Sequence, residues 1–132
     1  MSLLSPKPEL VIRELESIAD LRRALELEKQ VWEIQDADVT PITNVIASRA
    51  AGAFWLGAFA RAELVGMAYA FPSLHSGRAG FHSHLLAVKA AWRETGIGYR
   101  LKVVQRDHAL ALGVGEITWT FDPLRSLSLI HI

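Results

Sequence analysis

Leu10-Val-Ile-Arg-Glu14 is a short β-branched, apolar run behind two prolines, and it predicts a first strand. Ser17 stands three residues before Asp20, an N-cap arrangement. From Ile18 onward the apolar spacing turns helical. Ile18, Leu21, Leu25 and Trp32 fall near one face, while Glu26, Glu28 and Lys29 lie elsewhere. The first helix is predicted over 18–32. A polar break follows over 35–38. Thr40-Pro41 then predicts the cap and first turn of a second helix, because proline needs no amide partner there. That helix is expected to run to about Ala51, with Gly52 at its C′ position.

The pattern next changes to strands. Residues 54–59 and 64–71 are two apolar runs joined by a hairpin-length connection over 60–63. Pro72 is expected to end the second, and 73–80 reads as a loop with two glycines. A third strand of this set covers 81–88. From Ile97 to Leu112 the period is helical again, with Ile97, Leu101, Val104, His108 and Ala111 in one stripe. His108 therefore reads as a core or interface residue. Gly113 and Gly115 stop the helix, and residues 116–121 form a last strand closed by Asp122-Pro123. The order is β-α-α-β-β-β-α-β. Its final βαβ unit requires a parallel strand pair and a right-handed crossover. The fold class is α/β (α+β), with a mixed central sheet and flanking helices.

Composition narrows the function. The 132 residues suit one domain. Lys plus Arg and Asp plus Glu both number 14, so the net charge is zero. That balance argues against a protein living on the nucleic-acid phosphate backbone. The chain has no Cys, which removes disulfides, thiolate nucleophiles and Cys-ligated zinc. No apolar run reaches the roughly 18 residues of a membrane span. Residues 1–8 carry neither the basic nor the long apolar part of a signal peptide. The expectation is a cytoplasmic protein that uses no nucleic acid and no membrane.

The informative segment runs over 86–98, between a strand and a helix. The first amides of a helix lack intrahelical acceptors, and the dipole makes that end positive. Gly96 and Gly98 remove side chains where an anion could approach, and Arg93 adds a positive charge. Together these make a phosphate or pyrophosphate cradle. A Walker A loop needs Gly-Lys-Ser/Thr, which is missing. A Rossmann fingerprint needs glycine where Leu101 stands. The spacing fits Arg/Gln-x-x-Gly-x-Gly/Ala, here Arg93-Glu94-Thr95-Gly96-Ile97-Gly98.

In this motif, the strand Leu85-Leu-Ala-Val88 before it, the amphipathic helix after it and the order of elements, the chain resembles the GNAT superfamily of N-acetyltransferases. The resemblance covers nearly the whole chain. It implies an acyl-coenzyme A cosubstrate, usually acetyl-CoA, with no metal, and an amine acceptor. It places the pyrophosphate on the backbone of Arg93, Glu94, Thr95, Gly96, Ile97 and Gly98. It places the pantetheine arm on the strand edge at Leu86 and Val88, where that strand splays from the 116–121 strand. The family often carries a carboxylate eleven residues ahead of the Arg/Gln; that position is His82 here. A His can act as a base near neutral pH. His84, two residues on, shares its strand face. His82 and His84 are thus the candidate catalytic residues, beside a water relay and a purely packed role. A metal reading of His82 and His84 with His75 lacks Cys and a clear carboxylate partner. The alternative function is a non-catalytic CoA-sensing or interaction module on the same fold. A phosphate-ligand binder unrelated to CoA is the third reading.

Other residues carry weaker signals. Asp36 and Asp38 would suit a cationic amine, or simply a solvated loop. Trp55 and Trp119 read as strand core, and Trp92 borders the cradle. The resembling family continues past its fifth strand with a helix and usually two strands, the helix commonly supplying a Tyr as thiol-side acid. Leu127-Ser-Leu-Ile-His-Ile132 looks instead like one frame of a transposon-end adapter. The expectation is an incomplete acetyltransferase domain over 1–126, a non-native tail over 127–132, and a last strand with one unpaired edge.

Overall fold

A computed structural model describes residues 9–120 and 127–131. β1 (Leu10–Glu14) leads into α1 (Ile18–Trp32) and α2 (Ile42–Ala50), with a 3-10 turn at Asp36–Asp38 between the helices. β2 (Phe54–Ala60), β3 (Glu63–His75) and β4 (Arg78–Val88) follow. A second 3-10 turn, Ala90–Trp92, precedes α3 (Ile97–Ala111), then β5 (Glu116–Thr120) and β6 (Leu127–His131). The strands form one sheet in the order β1-β2-β3-β4-β5-β6. Among the described residues only β4 and β5 are parallel; the other neighbouring pairs are antiparallel.

Helices cover both faces, so β2 is buried along its whole length and β3 from Leu64 to Ala70. Such strands read as continuous apolar or small runs rather than alternating ones. On one face α1 and α2 supply Leu21, Ala24, Leu25, Leu27 and Val45, packed with Trp55, Phe59, Met67 and Tyr69. On the other, Ile97, Leu101 and Ala109 of α3 pack on Phe54, Leu56, Ala68, Phe81 and Ile117. Gly66 permits this close approach: a Cβ there would lie 3.1 Å from Ile97 Cγ2. Among the described residues no helix is long and apolar enough to cross a membrane.

The local signals at α1 act as expected. Asp20 N donates to Ser17 Oγ at 3.0 Å. Four readings need correction. Thr40 does not cap α2; Pro41 holds the N-cap position, and the Thr40 hydroxyl donates to Glu28 Oε1 at 3.3 Å. Pro72 does not end its strand, and residues 73–80 are not a loop. β3 runs on to His75 and turns through Ser76-Gly77 into β4. Both turn residues have positive φ (51° and 77°), the backbone of a two-residue hairpin. Beyond Ala70, the last partner of β2, β3 pairs with β4 alone, and an edge tolerates a residue without an N–H. The buried stripe of α3 is Ile97, Leu101, Gln105 and Ala109, while His108 packs its ring on Phe54 at 4.0 Å.

The fourth correction concerns β5. Its outer edge is not unpaired: Leu127–His131 pairs with it antiparallel, from Glu116↔His131 to Thr120↔Leu127. Backbone pairing needs only a run able to extend, and an open edge is a template for one. The expectations for residues 1–8, for Phe121 and for the Asp122-Pro123 stop lie outside the described residues.

Candidate functional site

The site begins where the described β4–β5 ladder ends. β4 and β5 pair only over Phe81↔Ile117, His82↔Thr118 and Ser83↔Trp119. β4 then continues to Val88 without β5, while β6 lies on the far edge of β5. Among the described residues, one edge of β4 beyond Ser83 has no strand partner.

Alternation identifies which backbone groups face that gap. Lys89 N donates to Val65 O at 2.8 Å, so the amide of Lys89 points toward β3. Neighbouring residues of a strand point their N–H and C=O groups to opposite sides. Val88 and Leu86 therefore direct theirs outward. Consistently, Arg93 Nε reaches Val88 O at 3.3 Å from the outer side. Leu86 and Val88 side chains pack toward α3, and Leu85 toward α1 and α2.

A bulge makes this arrangement possible. Tyr69 pairs with Leu85 and Ala70 with Ser83, so His84 is an extra residue in β4. A bulge bends its strand and increases the local twist. It also exchanges the faces: Phe81 before it and Leu86 after it both turn to α3.

The cradle follows directly. Gly96 is the N-cap of α3 with φ 85°, a left-handed conformation that side chains resist. Glu94 also has positive φ, at 65°. The Thr95 hydroxyl donates to Trp92 O and braces the loop. Arg100 N donates to Gly96 O at 3.0 Å, the first bond of the helix. The amides of Ile97, Gly98 and Tyr99 precede it and have no intrahelical acceptor. Unlike α1, α3 has no side-chain cap and no acidic residue in its first turn. Its positive end is uncompensated from within the helix. A Cβ on Gly98 would meet nothing closer than Leu86 Cδ2 at 3.8 Å, so packing does not require glycine there. Arg93 and Glu94 are exposed, with Arg93 turned back on the strand. A cavity of about 350 Å³ lies against the end of β4, lined by Val31, Trp32, Leu86, Ala87, Val88 and Arg93.

The two histidines lie on the α1 and α2 side of β4. His82 Nδ1 sits 2.6 Å from Thr118 Oγ1 on β5. When Nδ1–H donates to Thr118, Nε2 carries the lone pair, the tautomer a base requires. Burial holds both imidazoles below the ordinary histidine value, and the charge of His84 adds to the effect on His82. The His82 and His84 ring centroids are 6.4 Å apart, and both rings neighbour Phe71. His75, grouped with them as a third metal ligand, lies beside Glu116, Nδ1 to Oε1 3.6 Å.

No protein-family model matches the sequence, and no curated protein sequence matches it significantly. Solved structures match by shape. A GNAT family acetyltransferase from Brucella melitensis, solved with acetyl-CoA, superposes with a TM-score of 0.75 at 18% identity, covering 94% of this chain and 88% of that one. The chain has the GNAT acetyltransferase fold. An aminoglycoside acetyltransferase from an uncultured soil metagenomic sample, solved with sisomicin, has a TM-score of 0.76 at 18% identity, covering 87% of this chain and 79% of that one. The PaiA N-acetyltransferase of Thermoplasma acidophilum, solved with coenzyme A, has a TM-score of 0.67 at 20% identity, covering 89% and 82%.

Within this GNAT fold the cradle at the α3 N-terminus follows the β4 edge through the Ala90–Trp92 turn. Sequence reasoning missed Thr118, Trp32 and the bulge. Thr118 carried the alternation of a strand but no sign of its partner. Trp32 was read only as part of a helix face, yet it is 54% exposed at the cavity rim.

Proposed function

We propose that the chain is an acyl-CoA-dependent N-acyltransferase that moves an acetyl group from acetyl-CoA to an amine. The observation that carries this is the β4 edge at Leu86 and Val88, which has no strand partner among the described residues and leads into an uncapped α3 N-terminus. An extended amide-bearing arm needs a strand edge, and a pyrophosphate needs backbone N–H groups with a positive dipole end. Both fit here, and Gly98 leaves room for close approach.

Leu86 and Val88 hold the arm through outward backbone groups, and the amides of Ile97, Gly98 and Tyr99 hold the phosphates. When bound, acetyl-CoA supplies an acyl carbon activated as a thioester. An alkylammonium has a pKa of about 10.4 and is not nucleophilic until it loses a proton. His82 Nε2 takes that proton. The amine nitrogen forms its C–N bond as the thioester C–S bond breaks, and the second proton it sheds passes through solvent to the departing thiolate. Thr118 is a positioning residue that fixes the imidazole. Outward N–H groups of the β4 edge stabilise negative charge on the acyl oxygen.

Release of CoA thiol, followed over a panel of amines with the 132-residue chain, tests the reading. Amine-dependent release above the acceptor-free rate is expected. Acetyl-CoA binding with no amine accelerating release contradicts catalysis and supports a sensing module.

A further inference from the structure

The surface around His82 is a wall of rings. Tyr69 and Phe71 of β3 and His82 and His84 of β4 neighbour one another with centroids 5.4–6.4 Å apart. Tyr69 is buried and stacked on Trp55 at 4.2 Å and 16°, which makes the base of the wall rigid. Phe71 and His82 are half-buried, and His84 is exposed. The opposite face of β4 is covered by α3, so an acceptor reaches His82 from the ring side.

We infer that the Tyr69–Phe71–His82–His84 wall selects a primary amine carried on a short chain from an aromatic ring. The inference rests on the acetyl-transfer reading above. Rings pair best at centroid separations of about 4.5–7 Å, offset or edge to face. Phe71 and His84 have centroids 5.4 and 6.4 Å from that of His82. A ring two carbons from a nitrogen at His82 Nε2 lies about 5 Å from that nitrogen, close enough to pair with them from the open side. A polycationic acceptor would instead be met by ionised carboxylates, and this wall presents two phenyl-type rings and two imidazoles. The reaction is unchanged: the amine gains the acetyl group, its proton goes to His82, and CoA leaves as the thiol.

The test compares phenethylamine with 2-cyclohexylethylamine, which matches its reach and apolar bulk but has no π face. Sisomicin serves as the polycationic arm. For the unmodified chain, kcat/KM for phenethylamine is expected at about tenfold above the cyclohexyl analogue and above sisomicin. In Phe71→Leu, which keeps an apolar side chain of similar size, the phenethyl-to-cyclohexyl ratio is expected to fall toward one, mostly through KM. A ratio near one in the unmodified chain, a ratio unchanged in Phe71→Leu, or a preference for sisomicin overturns the inference. So does turnover of other amines in the wider panel with none of phenethylamine. Failure of the parent reading is distinct: there acetyl-CoA does not bind in calorimetry, or no amine of the wider panel accelerates release of CoA thiol.

Discussion

Gly98→Glu is expected to weaken acetyl-CoA binding at least about a hundredfold, roughly 2.7 kcal/mol, while leaving the fold intact. The two effects separate for a physical reason. A side chain at position 98 has space, since the nearest atom to its Cβ would be Leu86 Cδ2 at 3.8 Å. The backbone there has no positive φ, unlike that of Gly96 at 85°. A carboxylate in the first turn also complements the helix dipole, by about 0.3–1 kcal/mol. Thermal denaturation should therefore show a midpoint unchanged or slightly raised. The same carboxylate fills the approach to the Ile97, Gly98 and Tyr99 amides and repels a pyrophosphate. Tight acetyl-CoA binding that survives Gly98→Glu removes the cradle assignment. Gly96→Ala is a poorer probe, because strain at a left-handed position confounds folding with binding.

His82→Gln should lower kcat by about 10²–10⁴-fold and remove the acid limb of the pH–rate profile. Glutamine can still hydrogen-bond Thr118 Oγ1, so the strand pair stays tied. In the unmodified chain, burial and the neighbouring His84 hold the His82 pKa below the ordinary histidine value. The imidazole is then neutral at pH 7, and the rate should fall only as pH drops through that lowered value. Stability follows the same direction. The folded state binds these protons less readily than the unfolded chain, whose histidines titrate at about 6.5. The contribution is fully present above that value and is lost as pH falls from it through the lowered folded value. A profile unchanged in His82→Gln assigns proton removal to a water relay or to another group such as His84.

Much of the fold was legible because its local signals agree with its global packing. The Ser17 cap and the i, i+3, i+4 spacing give α1, and the β-branched run gives β1 with the same bounds. The cradle was legible because Gly96 answers a backbone demand that only glycine meets cheaply. What failed depended on partners distant in sequence. Pro72 looks like a terminator until β2 is seen to stop at Ala70. Thr40 looks like a cap until Glu28, a turn of helix and a loop away, takes its hydroxyl. The bulge at His84 is a matter of register between two strands, and alternation along one strand cannot show it. That bulge falls directly after the last described β4–β5 pair, Ser83↔Trp119. The resemblance implies a splay between these strands, and among the described residues the β4–β5 pairing ends at Ser83↔Trp119.

The central claim is that one ligand spans the β4 edge and the α3 N-terminus. Titrating the isotope-labelled chain with acetyl-CoA and following backbone amide shifts tests it most directly. The largest changes are expected at Leu86, Val88, Ile97, Gly98 and Tyr99, saturating together with one affinity. Changes concentrated elsewhere, or saturation of the α3 amides without those of β4, would contradict it.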